Sequence, residues 1–531
     1  MQFLPRARSW RIGFLIVLAI FFVTRLWTLL ALPIFNDEAI YLQYSQAIHE
    51  NWTENKFVSM HNRFHDWKPP LQYWLAAPVI RWSGDPLRAG RSVALAASLC
   101  GLVGFYLFAR KLFEEREGVV CAGLYSLCPP VLFHNNQFTA ETFLFSTAPF
   151  VYWAVLHALE PKRSRWLWAL AAILGGAMLL LFKQSGFLLL AVSIFLVGVC
   201  RGSEGAESGK SISQRINWKT LASNLILLGV IIGASQLIAH LILPSAFDAT
   251  KERFNGQWVM SASEVLNFPG EIWRANLSLV SDYIGAWYSW SVPVFLCFIL
   301  WWGLRKRSSP ELVLLLMFLA GGGGVIFLLR AFNEYLFNTA VIVSLLPLLA
   351  RSWILAWPAA RTAPGRLLRV GLLVFAALTL ANWTWQIALL GSSPGRFIEQ
   401  STPWAAANYL KAWPTGFGIN DVVRILEQEK RPGLVFADPQ WGNPRTALEV
   451  YGREKFLNLH VISAAEFPDG AEMKRFADSA REKFPARFLI FSADQSGRRQ
   501  EWQRALVGEV CQDRIEVKSY PTQMPLILCR F

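Results

Sequence analysis

The sequence predicts a polytopic α-helical membrane protein that carries a small α/β domain outside the bilayer at its C-terminal end. Three observations predict it. The 531 residues are 54% hydrophobic and only 17% charged. The apolar residues fall in blocks of about twenty, the length that crosses a bilayer. After Gly391 the chain changes to a mixed, water-compatible composition, over a length that can fold alone.

About eleven transmembrane helices are expected, over 12–32, 89–109, 118–133, 141–159, 167–182, 185–200, 220–243, 291–304, 312–329, 337–356 and 370–390. The first block is too long, and its start too poor in small residues, for a cleaved signal peptide. Between the first two spans, Pro33–Arg88 forms a long loop with aromatic-rich amphipathic stretches, AIYLQYSQAIHENW and PLQYWLAAPVIRW. These read as interfacial helices with Trp and Tyr at headgroup level. Pro244–Trp290 is a second long loop on the same side.

The net charge is +14. It sits in alternate short connections: Arg6, Arg8 and Arg11, then Arg110, Lys111 and Arg116, Lys162, Arg163 and Arg165, Arg305, Lys306 and Arg307, and Arg351 to Arg369. The connections between carry few cations. This is the positive-inside pattern. It places the N-terminus in the cytoplasm and, with an odd number of spans, the C-terminal domain outside. It also accounts for the basic charge without a nucleic-acid partner.

The boundary between bundle and outer domain falls at SSPGRF, giving 1–391 and 392–531. In the second part GLVFAD and RFLIFSAD read as buried strands, DVVRILEQEK and EMKRFADSAREKF as amphipathic helices, and IEVKSY with LILCRF as a final hairpin. Five of the cysteines lie in or beside apolar spans without metal-ligand spacing. Cys511 and Cys529 lie in the last segment, and sequence alone does not show that they approach. GAESGKS at 205–211 imitates a phosphate-binding loop but is one residue short between its glycines and follows no strand. The GGGG of Gly321–Gly324 reads as a close helix contact.

The residues able to carry chemistry are scattered along the chain. FNDEAIYLQYS places Asp37 and Glu38 just beyond the first span. Acids in a first turn complement the helix dipole, and Asn36 can cap it. A carboxylate at the hydrocarbon boundary also has the basicity of a general base. HDWKPPLQYWL places Lys68 before two prolines that fix the backbone. Such a lysine binds a phosphate as a point charge, or snorkels to headgroups. His65, Asp66 and Tyr73 flank it. Glu141 opens a span behind Thr139, a candidate cap. Lys183 sits in the tight FKQSG turn. Arg330, Glu334 and Tyr335 cluster where another span emerges, and Arg330 offers a planar fork for phosphate. All map to the outer face, as either a sugar and phosphate pocket or a network of ion pairs.

These residues, in this order, resemble integral-membrane glycosyltransferases of the GT-C superfamily that use polyprenyl-phosphate sugars, among them the aminoarabinose lipid A transferases and the protein O-mannosyltransferases. The resemblance covers roughly 10–390 and rests on NDEAIY, WKPPLQYWL with GRSVALAASLCGL, NNQFTAETFLF, FKQSG and NEYLF. It implies a GT-C-like bundle with interfacial helices in the first outer loop. It implies that Asp37 is the catalytic base, that Glu38 helps place a substrate, and that Lys68 lies near the donor phosphate, with Arg330 and Lys183 assisting. Glu141 stands where Asp is usual. Aminoarabinose transferases carry a Glu, a candidate metal contact, before the lysine; here it is Trp67, with Asp66 and His65 upstream, so the resemblance leaves a divalent metal open and does not support aminoarabinose as the sugar.

The expected reaction moves a sugar from a polyprenyl phosphate, such as undecaprenyl phosphate, to a hydroxyl of lipid A, another envelope glycan or a protein, with inversion, at the outer face of the cytoplasmic membrane. No dinucleotide fingerprint or phosphate-binding loop points to a nucleotide donor. A transporter or flippase for a lipid-linked or anionic solute is the alternative. It would be expected to show repeats and broken helices at mid-membrane depth.

Overall fold

A computed structural model of the chain describes residues 5, 7–58, 68–201, 218–243, 258–306, 309–357, 366–412, 414–438, 442–455, 458–467, 470–493, 508 and 510–531. In chain order the described α-helices begin with α1 (Arg8–Thr28), α2 (Asn36–Glu50), α3 (Trp52–Asn55), α4 (Leu71–Ser83), α5 (Pro86–Leu112), α6 (Glu115–Leu127), α7 (Pro129–Asn135), α8 (Ala140–Leu159), α9 (Arg165–Phe182), α10 (Gly186–Val192) and α11 (Trp218–Ile242). There follow α12 (Ala262–Leu266), α13 (Gly270–Tyr283), α14 (Ser291–Lys306), α15 (Ser309–Leu328), α16 (Glu334–Ala356) and α17 (Arg366–Ser392).

All eleven apolar blocks are helical, but fewer are single spans. Among the described residues 8 helices are long and apolar enough to cross a membrane, or up to 9 if the pair bent by 99° between α13 and α14 counts as one. The other two blocks are broken. In 118–133, Pro129 and Pro130 end α6 and start α7. In 185–200, α10 gives way to a 3-10 helix, Ser193–Arg201. The chain is thus a multi-pass membrane protein, with Leu15, Ile16, Val23 and Leu26 of α1 facing outward as lipid-facing residues do.

Two buried arginines complete the breaks. Proline has no N–H, so Pro129 and Pro130 withhold the donors that the Tyr125 and Ser126 carbonyls would receive. Arg25 of α1 supplies them, Nη2 donating to Tyr125 O at 3.1 Å and Nη1 to Ser126 O. Pro33 likewise withholds a donor from Leu29. Arg91 of α5 fills that gap, Nη1 donating to Leu29 O and Leu32 O at 2.9 Å. Both arginine side chains are fully buried. A charge sunk in a bundle is expensive unless its donors are used. Arg91 uses its Nε and both Nη groups, while Arg25 uses both Nη groups and leaves its buried Nε without a partner among the described residues.

The loop between α1 and α5 folds into the short helices α2 to α4, joined by ring packing of Tyr73 against Tyr41 and Tyr44 at 5.5 and 5.3 Å. In the loop after α11, Met260 N donates to Leu328 O and Arg330 N to Trp258 O, tying residues 258–260 to the end of α15. Gly321 lets α15 approach α16: a Cβ there would stand 2.7 Å from Ala340 O.

The C-terminal part contains β1 (Gly433–Ala437), β2 (Leu459–Ser463), β3 (Ala486–Ser492), β4 (Asp513–Val517) and β5 (Leu526–Arg530) in the order β2-β1-β3-β5-β4. β1 pairs parallel with β2 and β3, while β5 runs antiparallel to β3 and β4, so the expected final hairpin forms. The helices Ile419–Glu427, Arg445–Lys455 and Gly470–Ser479 flank the sheet. One sheet face, including Val435 and Phe488, joins the same hydrophobic core as the bundle. The other, including Phe436 and Leu489, packs on Met473 and Ala477. Cys511, just before β4, forms a disulfide with Cys529 of β5, with Cα atoms 5.2 Å apart, closing the question the sequence left open.

Candidate active site

α2 carries the acid pair, and its position is set on two flanks. Phe35, in extended conformation, precedes the helix without any side-chain cap. Asn36 does not cap it, contrary to the reading from sequence, because its Oδ1 accepts instead from Asn443 N at 2.9 Å. The Asn443 amide in turn donates toward Ile34 O and Pro414 O at 3.1 Å. On the same flank Gln43 donates to Glu449 at 2.5 Å. Burial lifts the Glu449 carboxyl above its ordinary value, against the pull of Arg445 and Gln43. The chain comes so close here that a Cβ on Gly416 would stand 2.0 Å from Ile34 O. The C-terminal segment therefore grips the loop that leads into α2.

The other flank belongs to Glu38. Its oxygens accept from Arg91 Nε at 2.9 Å and Nη2 at 2.7 Å, and Oε1 also accepts from Phe138 N at 2.8 Å. Both side chains are 0% exposed. Glu38 is turned into the protein, and Asp37, about 100° further round the helix, is left half-buried at its open side. Among the described residues the hydrogen bonds of Asp37 are long, with the Tyr41 hydroxyl at 3.5 Å and the Asn36 amide at 3.4 Å. The Lys68 ammonium lies over the Tyr41 ring, 4.7 Å from its centre. Asp37 and Lys68 thus meet through Tyr41, which rests on buried Tyr73. His65 and Asp66 lie outside the described residues, and among the described residues no three His, Cys, Asp or Glu side chains are gathered for a metal ion.

Glu141 is buried and forms an ion pair with Lys183, so these two expected residues do converge. Thr139 stands at the cap position of α8, but its hydroxyl makes no cap bond. Between this pair and Asp37 lies a polar chain. Tyr409 stacks on Phe35 with ring centres 4.1 Å apart. Its hydroxyl donates to Gln137 Oε1 at 3.0 Å and meets the Tyr335 hydroxyl at 2.8 Å. Burial first, then the charges of Asp37 and Glu141, hold the Tyr409 phenol well above its ordinary value. His134, ring against Tyr335 at 5.2 Å, is kept neutral by burial, its pKa lowered to about 4.

Arg330 is held elsewhere. Its guanidinium forks onto Glu264 of α12, at 2.5 and 2.8 Å. Ser261 N and Oγ also donate to Glu264 and lower its pKa. Glu334 is 6% exposed and bonds Thr402 of the C-terminal segment. Arg91, Gln137, Tyr409 and Asn443 were not singled out from sequence. Arg91 had a signal, a cation at the start of an apolar span. Tyr409 and Asn443 had none, being distant in the chain and inside a water-compatible segment.

Residues 67–238 match the family described as dolichyl-phosphate-mannose-protein mannosyltransferase. Among solved structures, ArnT from Cupriavidus metallidurans bound to undecaprenyl phosphate is similar over 98% of each chain at 16% identity, with a TM-score of 0.54. Its apo state matches over 99% of this chain and 98% of that one, at 16% identity and a TM-score of 0.52. The apo oligosaccharyltransferase of Archaeoglobus fulgidus is similar over 90% of this chain and 69% of its own, at 13% identity and a TM-score of 0.50. No curated protein sequence matches. The shared architecture shows an ArnT-like fold, and the family match spans about a third of the chain.

Proposed function

We propose that the chain transfers a sugar from a polyprenyl-phosphate carrier to an acceptor hydroxyl, with inversion and with Asp37 as general base. The observation that carries this reading is the contrast within the acid pair: Glu38 is saturated and buried, while Asp37 stays loosely bonded and half-buried beside Lys68 and Tyr41. ArnT, whose fold this chain shares, was solved with undecaprenyl phosphate bound, which supports a lipid-phosphate carrier.

Asp37 takes the proton of the acceptor hydroxyl as that oxygen bonds to the anomeric carbon. The bond from this carbon to the phosphate oxygen breaks, and the polyprenyl phosphate leaves on the opposite face with the electron pair. Lys68 stabilises charge developing on the leaving phosphate. Lys183, drawn toward the site by Glu141, adds to the positive field. Arg330 reaches a phosphate only by releasing Glu264. Glu38 acts as a positioning residue through Arg91.

The acceptor is a hydroxyl of lipid A, another envelope glycan or a protein. The site faces away from the cytosol, across the inner membrane, with the N-terminus cytoplasmic and the domain over 392–531 extracytoplasmic. The positive-inside charge pattern and the Cys511–Cys529 disulfide, which fits an oxidising compartment, support that orientation. The test is release of free polyprenyl phosphate from lipid-linked sugars by the purified full chain. Asp37→Asn is expected to lose ~10²–10⁴-fold in turnover while still inserting and melting like wild type; undiminished turnover rejects Asp37 as the base.

A further inference from the structure

We propose that Gln137 and Tyr409 fix the Tyr335 hydroxyl as a hydrogen-bond acceptor, so that the ligand group it meets beside Asp37 is a substrate hydroxyl and not a phosphate oxygen. The inference rests on the reading above for the identity of the substrates, but its geometry is independent of it.

The polarity follows from one amide. Gln137 is fully buried, and its Nε2 donates to Phe133 O at 3.2 Å. That bond assigns the amide orientation and leaves Oε1 facing Tyr409. An amide oxygen only accepts. The single Tyr409 proton is therefore committed to Gln137, at 3.0 Å. The 2.8 Å contact between the two phenols must then use the Tyr335 proton. What the Tyr335 oxygen has left is lone pairs alone.

Tyr409 is 2% exposed and pinned by Phe35 and Phe133, so it does not swing away to release the chain. Tyr335 keeps part of its surface open, and both Asp37 and Glu141 lie within electrostatic reach of it. A lone pair turned toward a site already rich in acid repels phosphate oxygens and favours an O–H group. That group belongs either to the donor's sugar ring or to the acceptor. Gln137 and Tyr409 are thus positioning residues that touch no ligand themselves.

The experiment measures full-length protein in nanodiscs against two probes, decaprenyl phosphate and decaprenyl-phosphate mannose, for Tyr335→Phe, Tyr409→Phe and Gln137→Met. All three are expected to melt near wild type and to bind bare decaprenyl phosphate within about twofold of it. Tyr409→Phe frees the Tyr335 proton and is expected to bind the bare lipid at least as tightly as wild type. If the hydroxyl is on the donor sugar, affinity for the mannose lipid falls about fivefold in Tyr335→Phe, the worth of one hydrogen bond, and by less in Tyr409→Phe and Gln137→Met, which keep the Tyr335 oxygen but no longer fix its proton. If it is on the acceptor, donor affinity holds and turnover falls by a similar factor. Weakening of bare decaprenyl phosphate by Tyr335→Phe overturns the assignment, as do variants matching wild type in both arms. A wild-type protein that binds both lipids but releases no decaprenyl phosphate defeats the functional reading alone, because the binding arm needs no turnover.

Discussion

Removing Arg91 tests how the acid helix is held. In Arg91→Leu the Glu38 carboxylate keeps its Phe138 N–H but loses both guanidinium bonds while remaining buried. Breaking one side of a buried pair costs about 3–5 kcal/mol. The Leu29 and Leu32 carbonyls also lose their donor, at about 1 kcal/mol each. The total is roughly 5–7 kcal/mol, among the largest effects a single substitution produces. Glu38→Leu strands the guanidinium instead and orphans Phe138 N–H, for roughly 4–6 kcal/mol by the same accounting. The double variant has no buried charge here. It leaves Phe138 N–H and the Leu29 and Leu32 carbonyls unsatisfied and removes a longer 3.4 Å bond to Pro33 O, together about 3–4 kcal/mol. The double is therefore expected to be more stable than either single, a coupling that independent sites do not show. Pulse proteolysis across a denaturing-detergent titration in mixed micelles measures it. A double variant as unstable as the sum of the singles, or singles costing under about 1 kcal/mol, would refute the view that this pair anchors α2.

Arg25→Met is expected to destabilise the α6–α7 junction by about 2–4 kcal/mol, since two carbonyls facing proline lose their donors; hydrogen exchange should rise first in residues 125–136, and uniform exchange would contradict this. Reducing Cys511–Cys529, which closes a separation of 18 residues, should cost about 3 kcal/mol, read as earlier melting of the β4–β5 hairpin with the bundle helices unchanged. Arg431 first, then Arg530, lowers the Glu429 carboxyl to about 2. Its stabilisation is present above the unfolded value and lost as pH falls through about 2. An acid melt of the C-terminal sheet that Glu429→Gln leaves unshifted between about pH 4 and 2 would oppose the assignment.

The bundle was legible because apolar length is a strong local signal, and the strands and helices beyond Gly391 because their periods are clear. Breaks were harder. Pro129-Pro130 was visible in the sequence, yet the block around it still read as one span, since hydropathy is blind to a missing N–H. At the site, Asp37, Glu38 and Lys68 announced themselves as charges beside the hydrocarbon. The division of labour between the two acids did not, because it depends on Arg91 approaching from another helix. Arg330 looked equivalent to Lys68, and only the fold of 258–264 shows its guanidinium engaged by Glu264. Asn443 and Tyr409 are ordinary polar residues until tertiary contacts bring them to α2.

The placement of Arg25 has a consequence for how the chain is made. Its carbonyl partners are synthesised about a hundred residues later, so α1 leaves the ribosome and meets the insertion machinery with a cation that has nowhere to bind. Until α6 arrives, that side chain must stay at a wet edge of the translocon or in the headgroup layer. The N-terminal helix cannot settle to its final depth before then. Biogenesis of this protein is thereby timed by a proline pair, and truncated nascent chains ending before residue 125 should hold α1 in a shallower, chemically accessible position than longer ones.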